Sequence, residues 1–135
     1  MAIGWAEQYV TAAVENAVTF SQNPDTLAAY AALVDGEAEG FIYVQYYAWN
    51  QLTQIQGLAV NPVQQRKGIA LALVEQAEPF ARGKQSRGIY VDTPTSNRGG
   101  RAFYETAGYQ VGYIMPRYYE DKLDGVTYQK FFQRS

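Results

Sequence analysis

The sequence predicts a mixed α/β (α+β) fold. Apolar, strand-like runs recur between turn residues, and other stretches carry apolar residues at helical spacing. One strand-like run also passes through a short turn directly into a glycine-opened helix. At 135 residues the chain is long enough to bury a substantial core, so we expect a single domain over residues 1–135.

The N-terminal third predicts a helix followed by a hairpin. Ala2 to Phe20 has apolar residues at steps of three and four, which is typical of an amphipathic helix. Leu27 to Val34 and Glu39 to Ala48 are strand-like, and they flank Asp35-Gly36, a pair suited to a tight turn. We therefore expect these two strands to pair.

The middle of the chain predicts a strand and a long helix. Gln51 to Val60 forms the strand, and Gly57 within it indicates a bulge or a close backbone approach by a ligand. The helix runs from Gly68 to about Arg82, and Pro79 should kink or end it near the last turn. The remaining elements are a short strand, a helix and a closing antiparallel pair, at Ile89 to Asp92, Arg98 to Ala107, Tyr109 to Ile114 and Val126 to Phe132.

The composition argues against several functional classes. The formal net charge is −2 and the basic residues are scattered, so we expect no nucleic-acid partner. The chain lacks cysteine and histidine, which removes thiolate nucleophiles and the commonest metal ligands, and we expect no metal. No apolar run approaches the about 20 residues that cross a bilayer. We expect a cytoplasmic protein with no membrane association.

A candidate anion site lies where the middle strand meets the long helix. Leu58-Ala59-Val60 leads through a turn to Gln65-Arg66-Lys67 and then to Gly68-Ile69-Ala70. Backbone N–H groups at a helix start lack intrahelical partners and lie at the positive end of the helix dipole, so they can hold a phosphate. These residues predict a diphosphate site, although an ordinary glycine-containing turn would explain the same spacing.

Four segments in order resemble the GCN5-related N-acetyltransferase (GNAT) superfamily. The spacing Gln65-x-x-Gly68-x-Ala70 is similar to its acyl-CoA loop, and Asn97 to Tyr109 is similar to its fourth helix, with Asn97 and Tyr104 about two helical turns apart. Asp92 to Thr95 and Tyr118 to Lys130 complete the match. The resemblance implies a mixed, mostly antiparallel central sheet flanked by helices, with acetyl-CoA as co-substrate.

The resemblance also assigns roles to residues around the co-substrate. Backbone groups of Leu58, Ala59 and Val60 would bind its pantetheine arm, the Gln65 to Ala70 segment would bind its diphosphate, and Asn97 would contribute to the same site. Tyr104 would protonate the departing thiolate, because a phenol with a pKa of about 10 is protonated at neutral pH. The implied activity is transfer of an acetyl group to a primary amine of a small molecule or peptide, by direct attack in a ternary complex.

The acceptor side of this site is less typical of the family. Many relatives place a glutamate on the strand before the loop, where this chain has Gln54 and Gln56. Asp92 is then the best candidate for a general base, although it could equally cap the following turn. Tyr118 and Tyr119 are expected in the connection between the last two strands, over the acceptor channel.

The N-terminal region is shorter than the family plan of a strand and two helices before the hairpin. Either the first strand is absent or the helical region is rearranged, so the edge of the hairpin would need a cover, for which a homodimer is one candidate. These departures leave an alternative open, namely a non-catalytic acyl-CoA-binding regulatory or interaction module.

Overall fold

The computed structural model describes residues 13–15, 26–64 and 68–133. Within them a seven-stranded sheet has the order β1-β2-β3-β4-β5-β7-β6. All neighbouring strands are antiparallel except β4 and β5, which are parallel. The elements are β1 (Ala13–Glu15), β2 (Leu27–Val34), β3 (Glu37–Tyr47), β4 (Leu52–Val60), a 3₁₀ turn (Pro62–Gln64), α1 (Ile69–Gly83), β5 (Gly88–Pro94), α2 (Arg98–Thr106), β6 (Gln110–Glu120) and β7 (Leu123–Phe131). The predicted mixed α+β fold is thereby confirmed.

The N-terminal helix prediction is wrong at Ala13–Glu15, which forms β1. Val14 of this strand pairs with Tyr30, so β1 lies along the edge of β2 that was expected to be exposed. The edge of a sheet offers unpaired backbone groups, and pairing with them can outweigh the helical spacing of the apolar side chains. A first strand is therefore present, and the rest of the predicted Ala2 to Phe20 helix lies outside the described residues.

The two helices pack on one face of the sheet. The buried residues of α1 recur at helical spacing and contact the apolar face of the central strands; they are Ile69, Leu73, Val74, Ala77 and Ala81. Pro79 does not end this helix, which continues to Gly83. On α2, Tyr104 joins the same core and packs beside Tyr128 of β7. The apolar core therefore lies between this face and both helices.

The opposite face of the sheet, called the far face below, carries the alternate residues of the same strands. Its polar and aromatic side chains include those of Tyr43, Gln45, Tyr47, Gln54, Tyr90, Asp92 and Thr127. None of the helices that the structure describes covers this face. Asp92 on this face also lines the cleft described below.

The last hairpin differs from its prediction. Tyr118 and Tyr119 belong to β6 rather than to the connection, which is a tight turn after Glu120. The β6–β7 register shifts between Met115 and Glu120, so β6 bulges there, and Arg117 has a φ of +57°. A bulge of this kind extends the strand while redirecting its side chains. Neither described helix is long and apolar enough to cross a membrane.

Candidate active site

An open cleft of about 780 Å³ lies where β4 and β5 separate. The two strands pair only from Leu52–Gln54 to Gly88–Tyr90 and then diverge. In the pairing of β3 with β4, Tyr43 is opposite Gly57 and Val44 is opposite Ile55. This register leaves Gln56 as an extra residue in β4. This bulge bends β4 at the point where it leaves β5. Residues from β4, α1, β5 and α2 line the resulting cleft.

The cleft brings together seven of the fourteen site residues that the sequence predicted, and Tyr118 and Tyr119 are not among them. Its lining includes Leu58, Val60, Gly68, Ala70, Asp92, Asn97 and Tyr104. It does not include Ala59, which is exposed, or the side chain of Ile69, which is buried in the core. Gln65, Arg66 and Lys67 lie outside the described residues.

Backbone groups of β4 alternate between its two neighbours. The N–H of Asn61 donates to the carbonyl oxygen of Glu39 at 2.8 Å, which places this pair among the hydrogen-bonded pairs of the β3–β4 ladder. Because such pairs alternate along antiparallel strands, the peptide groups of Ala59 face β3, whereas those of Leu58 and Val60 face the cleft side. The strand edge at the cleft therefore carries backbone donors and acceptors directed toward a ligand.

The N-terminus of α1 forms one end of the cleft. Gly68 precedes the helix with a φ of +82°, a conformation that glycine adopts without steric cost, and no side chain caps the helix. The first intrahelical bond runs from the N–H of Ala72 to the carbonyl of Gly68 at 3.0 Å. The amides of Ile69, Ala70 and Leu71 thus have no acceptor within the helix and give this end a positive potential.

Asn97 caps the N-terminus of α2 beside the cleft. Its side-chain oxygen accepts from the N–H of Gly100 at 3.0 Å, and its Nδ2 donates to Thr93 Oγ1 at 3.0 Å. The cap fixes where α2 begins relative to β5. Asn97 and Tyr104 both line the cleft, as their spacing of seven residues predicted.

Tyr104 lies in the wall of the cleft formed by α2. The residue is buried, and burial raises the pKa of its phenol to about 12. Loss of water around the phenolate disfavours ionisation, so this side chain is neutral and a hydrogen-bond donor at physiological pH. Its ring lies 6.0 Å from that of Tyr128 and 5.2 Å from that of Phe103, between centroids.

A partly buried hydrogen-bond network fixes α2 to β7. The Tyr128 hydroxyl accepts from Arg101 Nε at 3.1 Å and donates to Glu105 Oε2 at 2.9 Å. Arg101 also donates to the carbonyl oxygen of Thr95 at 3.2 Å. Since Arg101 and Glu105 lie one helical turn apart and flank Tyr104, one tyrosine hydroxyl orients the helix face that carries Tyr104.

Asp92 lies at the far-face side of the cleft. Its Oδ1 accepts from Thr127 Oγ1 at 2.8 Å, and its Oδ2 lies 3.4 Å from the hydroxyl of Tyr118. These bonds hold the carboxylate from β7 and β6, and neither comes from the turn that follows β5. Sequence reasoning identified Asp92 and Tyr118 separately, but their contact depends on the β6 bulge, which no residue pattern indicated.

The polar residues Gln54 and Gln56 of β4 are neutral amides in a hydrogen-bonded network with β3. Gln56 Nε2 donates to Gln45 Oε1 at 2.7 Å and to the Tyr47 hydroxyl at 3.0 Å, and that hydroxyl lies 3.2 Å from Gln54 Oε1. No carboxylate occurs on this strand. In the described part of the chain, no group of three or more acidic residues is arranged to hold a metal ion.

Comparisons with known proteins agree with this geometry. The family model of the acetyltransferase (GNAT) family matches residues 3–109. The streptothricin acetyltransferase of Escherichia coli is 33% identical over 87 residues, which cover 64% of this chain and 49% of that protein. The enzyme of the same name from Streptomyces lavendulae is 30% identical over 88 residues, covering 65% and 47%. The chain thus spans about half the length of the curated relatives it matches.

Among solved structures, the fold is similar to a Bacillus anthracis protein assigned as a streptothricin acetyltransferase and crystallised with acetyl coenzyme A. The TM-score is 0.76 at 23% identity, and the match covers 81% of this chain and 65% of that one. The resemblance inferred from Gln65 to Ala70 and Asn97 to Tyr109 is confirmed by the family model, which includes both segments. This chain belongs to the acetyltransferase (GNAT) family.

Proposed function

We propose that the protein transfers an acetyl group from acetyl-CoA to an amine of a small molecule or peptide, by direct attack within a ternary complex. One observation carries the proposal. The divergence of β4 from β5 at the Gln56 bulge opens a cleft with an uncapped helix N-terminus at one end and Tyr104 in its wall. Such a cleft can hold an anionic, extended thioester and expose its carbonyl to the far face.

The start of α1 would bind the diphosphate of the co-substrate. The amides of Ile69 and Ala70 supply donors at the positive end of the helix, and Gly68 leaves room for close approach because it has no side chain. We assign Gln65, Arg66 and Lys67 to the same diphosphate from their positions in the sequence. Net positive charge on this segment would complement the two negative phosphate groups.

The exposed edge of β4 would bind the pantetheine arm as an added strand does. Backbone alternation favours Leu58 and Val60 for this role over Ala59, whose peptide groups face β3. A backbone N–H near the bulge, with Leu58 the best placed, would donate to the thioester oxygen as it becomes negative. Donors that are already aligned before the reaction stabilise such an oxyanion without reorganising.

Tyr104 would donate a hydrogen bond, and then a proton, to the sulfur as the carbon–sulfur bond breaks. With a pKa of about 12 its phenol is protonated at every physiological pH. A thiol has a pKa of about 8.5, so full transfer from this phenol is uphill. A phenoxide formed here would take up the second proton, which the nitrogen loses after it has attacked the carbonyl carbon. The bond made to sulfur is thus the main contribution that we assign to Tyr104.

Asp92 is the carboxylate that we assign as general base. It lies at the cleft edge, where an amine entering from the far face would meet it, and Thr127 and Tyr118 hold its two oxygens. An alkylammonium with a pKa of about 10.4 must lose a proton before its nitrogen can attack the carbonyl carbon. A carboxylate would accept that proton directly or through one water.

Binding of the co-substrate is tested first by thermal unfolding with acetyl-CoA and with CoA. Ligand at a hundred times its dissociation constant stabilises a protein by about 2.7 kcal/mol, which shifts the midpoint by several degrees. Gly68→Asp should abolish the shift, because the added carboxylate would face the diphosphate. Gly36→Asp is the matched control, since Gly36 has the same φ of +82° and open space around it in the β2–β3 turn.

Catalysis is tested by release of the CoA thiol when amines are added with acetyl-CoA. We expect Tyr104→Phe to lower turnover at least about tenfold while the acetyl-CoA shift persists. Ligand-induced stabilisation without thiol release from any amine would favour the alternative of a non-catalytic acyl-CoA-binding module, a function consistent with the neutral amides of Gln54 and Gln56 on β4. No stabilisation by either ligand at millimolar concentration would refute both functions.

A further inference from the structure

The far face carries a group of tyrosines around Asp92. Tyr90 precedes Asp92 by two residues on β5 and therefore points to the same face. Asp92 is opposite Thr127 of β7, and Thr127 is opposite Tyr113 of β6, so Tyr113 lies on this face two strands away. The Tyr118 hydroxyl reaches Asp92 itself. Three tyrosines thus share the far face with one carboxylate, and one of them, Tyr118, is hydrogen-bonded to it.

Tyr118 reaches Asp92 by crossing β7 at a glycine. A Cβ on Gly125 would lie 3.0 Å from Tyr118 Cδ2 and 2.9 Å from Met115 Cε, so only glycine leaves space for the Tyr118 ring here. The bulge is held by a hydrogen bond of 2.9 Å from the N–H of Arg117 to Asp124 Oδ1. The hairpin is therefore built to place one aromatic ring over the sheet and against the carboxylate.

Within the described part of the chain, the Asp92 carboxylate has no basic side chain as partner. The single ion pair found there joins Lys130 to Glu78 on the other face of the sheet. Asp92 instead accepts from two neutral hydroxyls, and its charge raises the pKa of Tyr118, which keeps that phenol neutral. A carboxylate bordered by electron-rich rings lacks a compensating positive charge, and a cationic ligand would supply it.

We propose that Asp92, Tyr90, Tyr113 and Tyr118 form a binding site for an alkylammonium group of the acceptor. The inference rests on the proposed function, because it treats the far-face side of the cleft as the acceptor side. Ring faces attract cations through their quadrupole, and the carboxylate adds direct Coulomb attraction. A neutral group of the same shape gains neither, so the site distinguishes acceptors by charge. Tyr119, whose ring lies 5.0 Å from that of Tyr118, supports the ring rather than the cation.

The test uses two probes of nearly equal shape that cannot be acetylated on nitrogen. Choline carries a quaternary ammonium, and 3,3-dimethylbutan-1-ol replaces its nitrogen with carbon. In NMR titrations of the full chain, we expect choline to bind at least about tenfold more tightly than the alcohol. Equal affinities, or no detectable binding of either probe at high millimolar concentration, would overturn the proposal without the need for any variant.

Variants then test whether the preference for choline over the alcohol comes from the residues of the proposed site. Asp92→Asn should remove the preference for choline, whereas Asp121→Asn, which removes the same charge from the exposed tip of the hairpin, should leave it unchanged. Gly125→Ala should weaken choline binding by displacing Tyr118, although it alters no charged group. Tyr118→Phe keeps the ring and should retain most of the affinity that Tyr118→Leu loses. A preference that survives in Asp92→Asn would overturn the proposal.

The test of choline binding and the test of acetyl transfer can give different results. Choline binding needs neither acetyl-CoA nor turnover, so it can be positive in a protein that releases no thiol. Conversely, thiol release from an amine acceptor, together with no choline preference, would support acetyl transfer and refute the ammonium site. Circular dichroism of each variant establishes that a lost preference does not come from unfolding.

Discussion

Two regions beside the cleft, the α2 wall and the β6–β7 hairpin, are held in place by different means. The α2 wall carries Tyr104, and behind it Tyr128 is fully buried and hydrogen-bonded on both sides. In the hairpin, which reaches Asp92 at the far-face side of the cleft, Tyr113 and Tyr118 are each 53% exposed, and a single hydrogen bond of 3.4 Å joins Tyr118 to Asp92. The α2 wall is anchored in the core, whereas the hairpin tyrosines lie at the surface.

This difference matches the tasks that we assign to the two regions. A group that donates to sulfur must keep its position to within a fraction of an ångström, which packing against the buried Tyr128 provides. A surface that meets varied acceptors tolerates movement, and exposed side chains reorient at little cost. Substitutions in the two regions should therefore separate effects on stability from effects on binding.

The largest effect is expected for Tyr128→Ala. Removal of a fully buried ring from the core, together with two hydrogen bonds, should lower the free energy of unfolding by about 4 kcal/mol. Tyr128→Phe keeps the ring and should cost about 1 to 2 kcal/mol, because it removes both hydrogen bonds of the hydroxyl. Urea unfolding of both variants measures this. A Tyr128→Phe variant as stable as wild type would show that the hydroxyl contributes nothing, and equal losses in the two variants would show that the ring contributes nothing.

An intermediate effect on stability is expected at alkaline pH, where the Tyr104 phenol ionises. The pKa of the Tyr104 phenol is about 12 in the folded state and about 10 in the unfolded state. Its contribution to the free energy of unfolding is therefore complete below pH 10 and is lost as pH rises toward 12. Over this range wild type should lose roughly 2 kcal/mol more than Tyr104→Phe, which has no phenol to ionise. Parallel stability curves for the two proteins would contradict this account of burial at Tyr104.

The smallest effect on stability is expected for Tyr118→Ala. The side chain is largely exposed and its bond to Asp92 is long, so the free energy of unfolding should change by about 0.5 kcal/mol or less. Urea unfolding of Tyr118→Ala and Tyr128→Ala under the same conditions compares the two losses of stability directly. A loss near 2 kcal/mol would mean that the hairpin is part of the folding core, and the distinction between the α2 wall and the hairpin would fail.

The sequence indicated which residues of α1 and α2 lie together at the cleft, but not how the far-face residues around Asp92 meet. Gly68 and Ala70, and likewise Asn97 and Tyr104, lie close in the chain, so local spacing was enough to place each pair on one helix start or one helix face. Asp92, Tyr113 and Tyr118 come from two strands, and only the β6 bulge and Gly125 bring Tyr118 to Asp92. Such a meeting depends on register, which residue pattern alone does not specify.

Two further features were beyond sequence reasoning for similar physical reasons. Ala13–Glu15 has the apolar spacing of a helix, but pairing with β2 decides its conformation. Tyr128 lies in an apolar run that predicted only a buried strand, so its link to Arg101 and Glu105 had no local signal. In both cases a partner distant in sequence supplies the deciding contact.

The extra residue at Gln56 has a consequence for how the cleft could have arisen. It changes which face the rest of β4 presents, so Gln54 points to the far face while Leu58, four residues on, packs toward the helices. A deletion of one codon at this position would restore regular alternation and allow β4 to stay beside β5 along its length. The space for a ligand between these strands would then depend on a single-residue insertion, a change that one mutational event can make or undo.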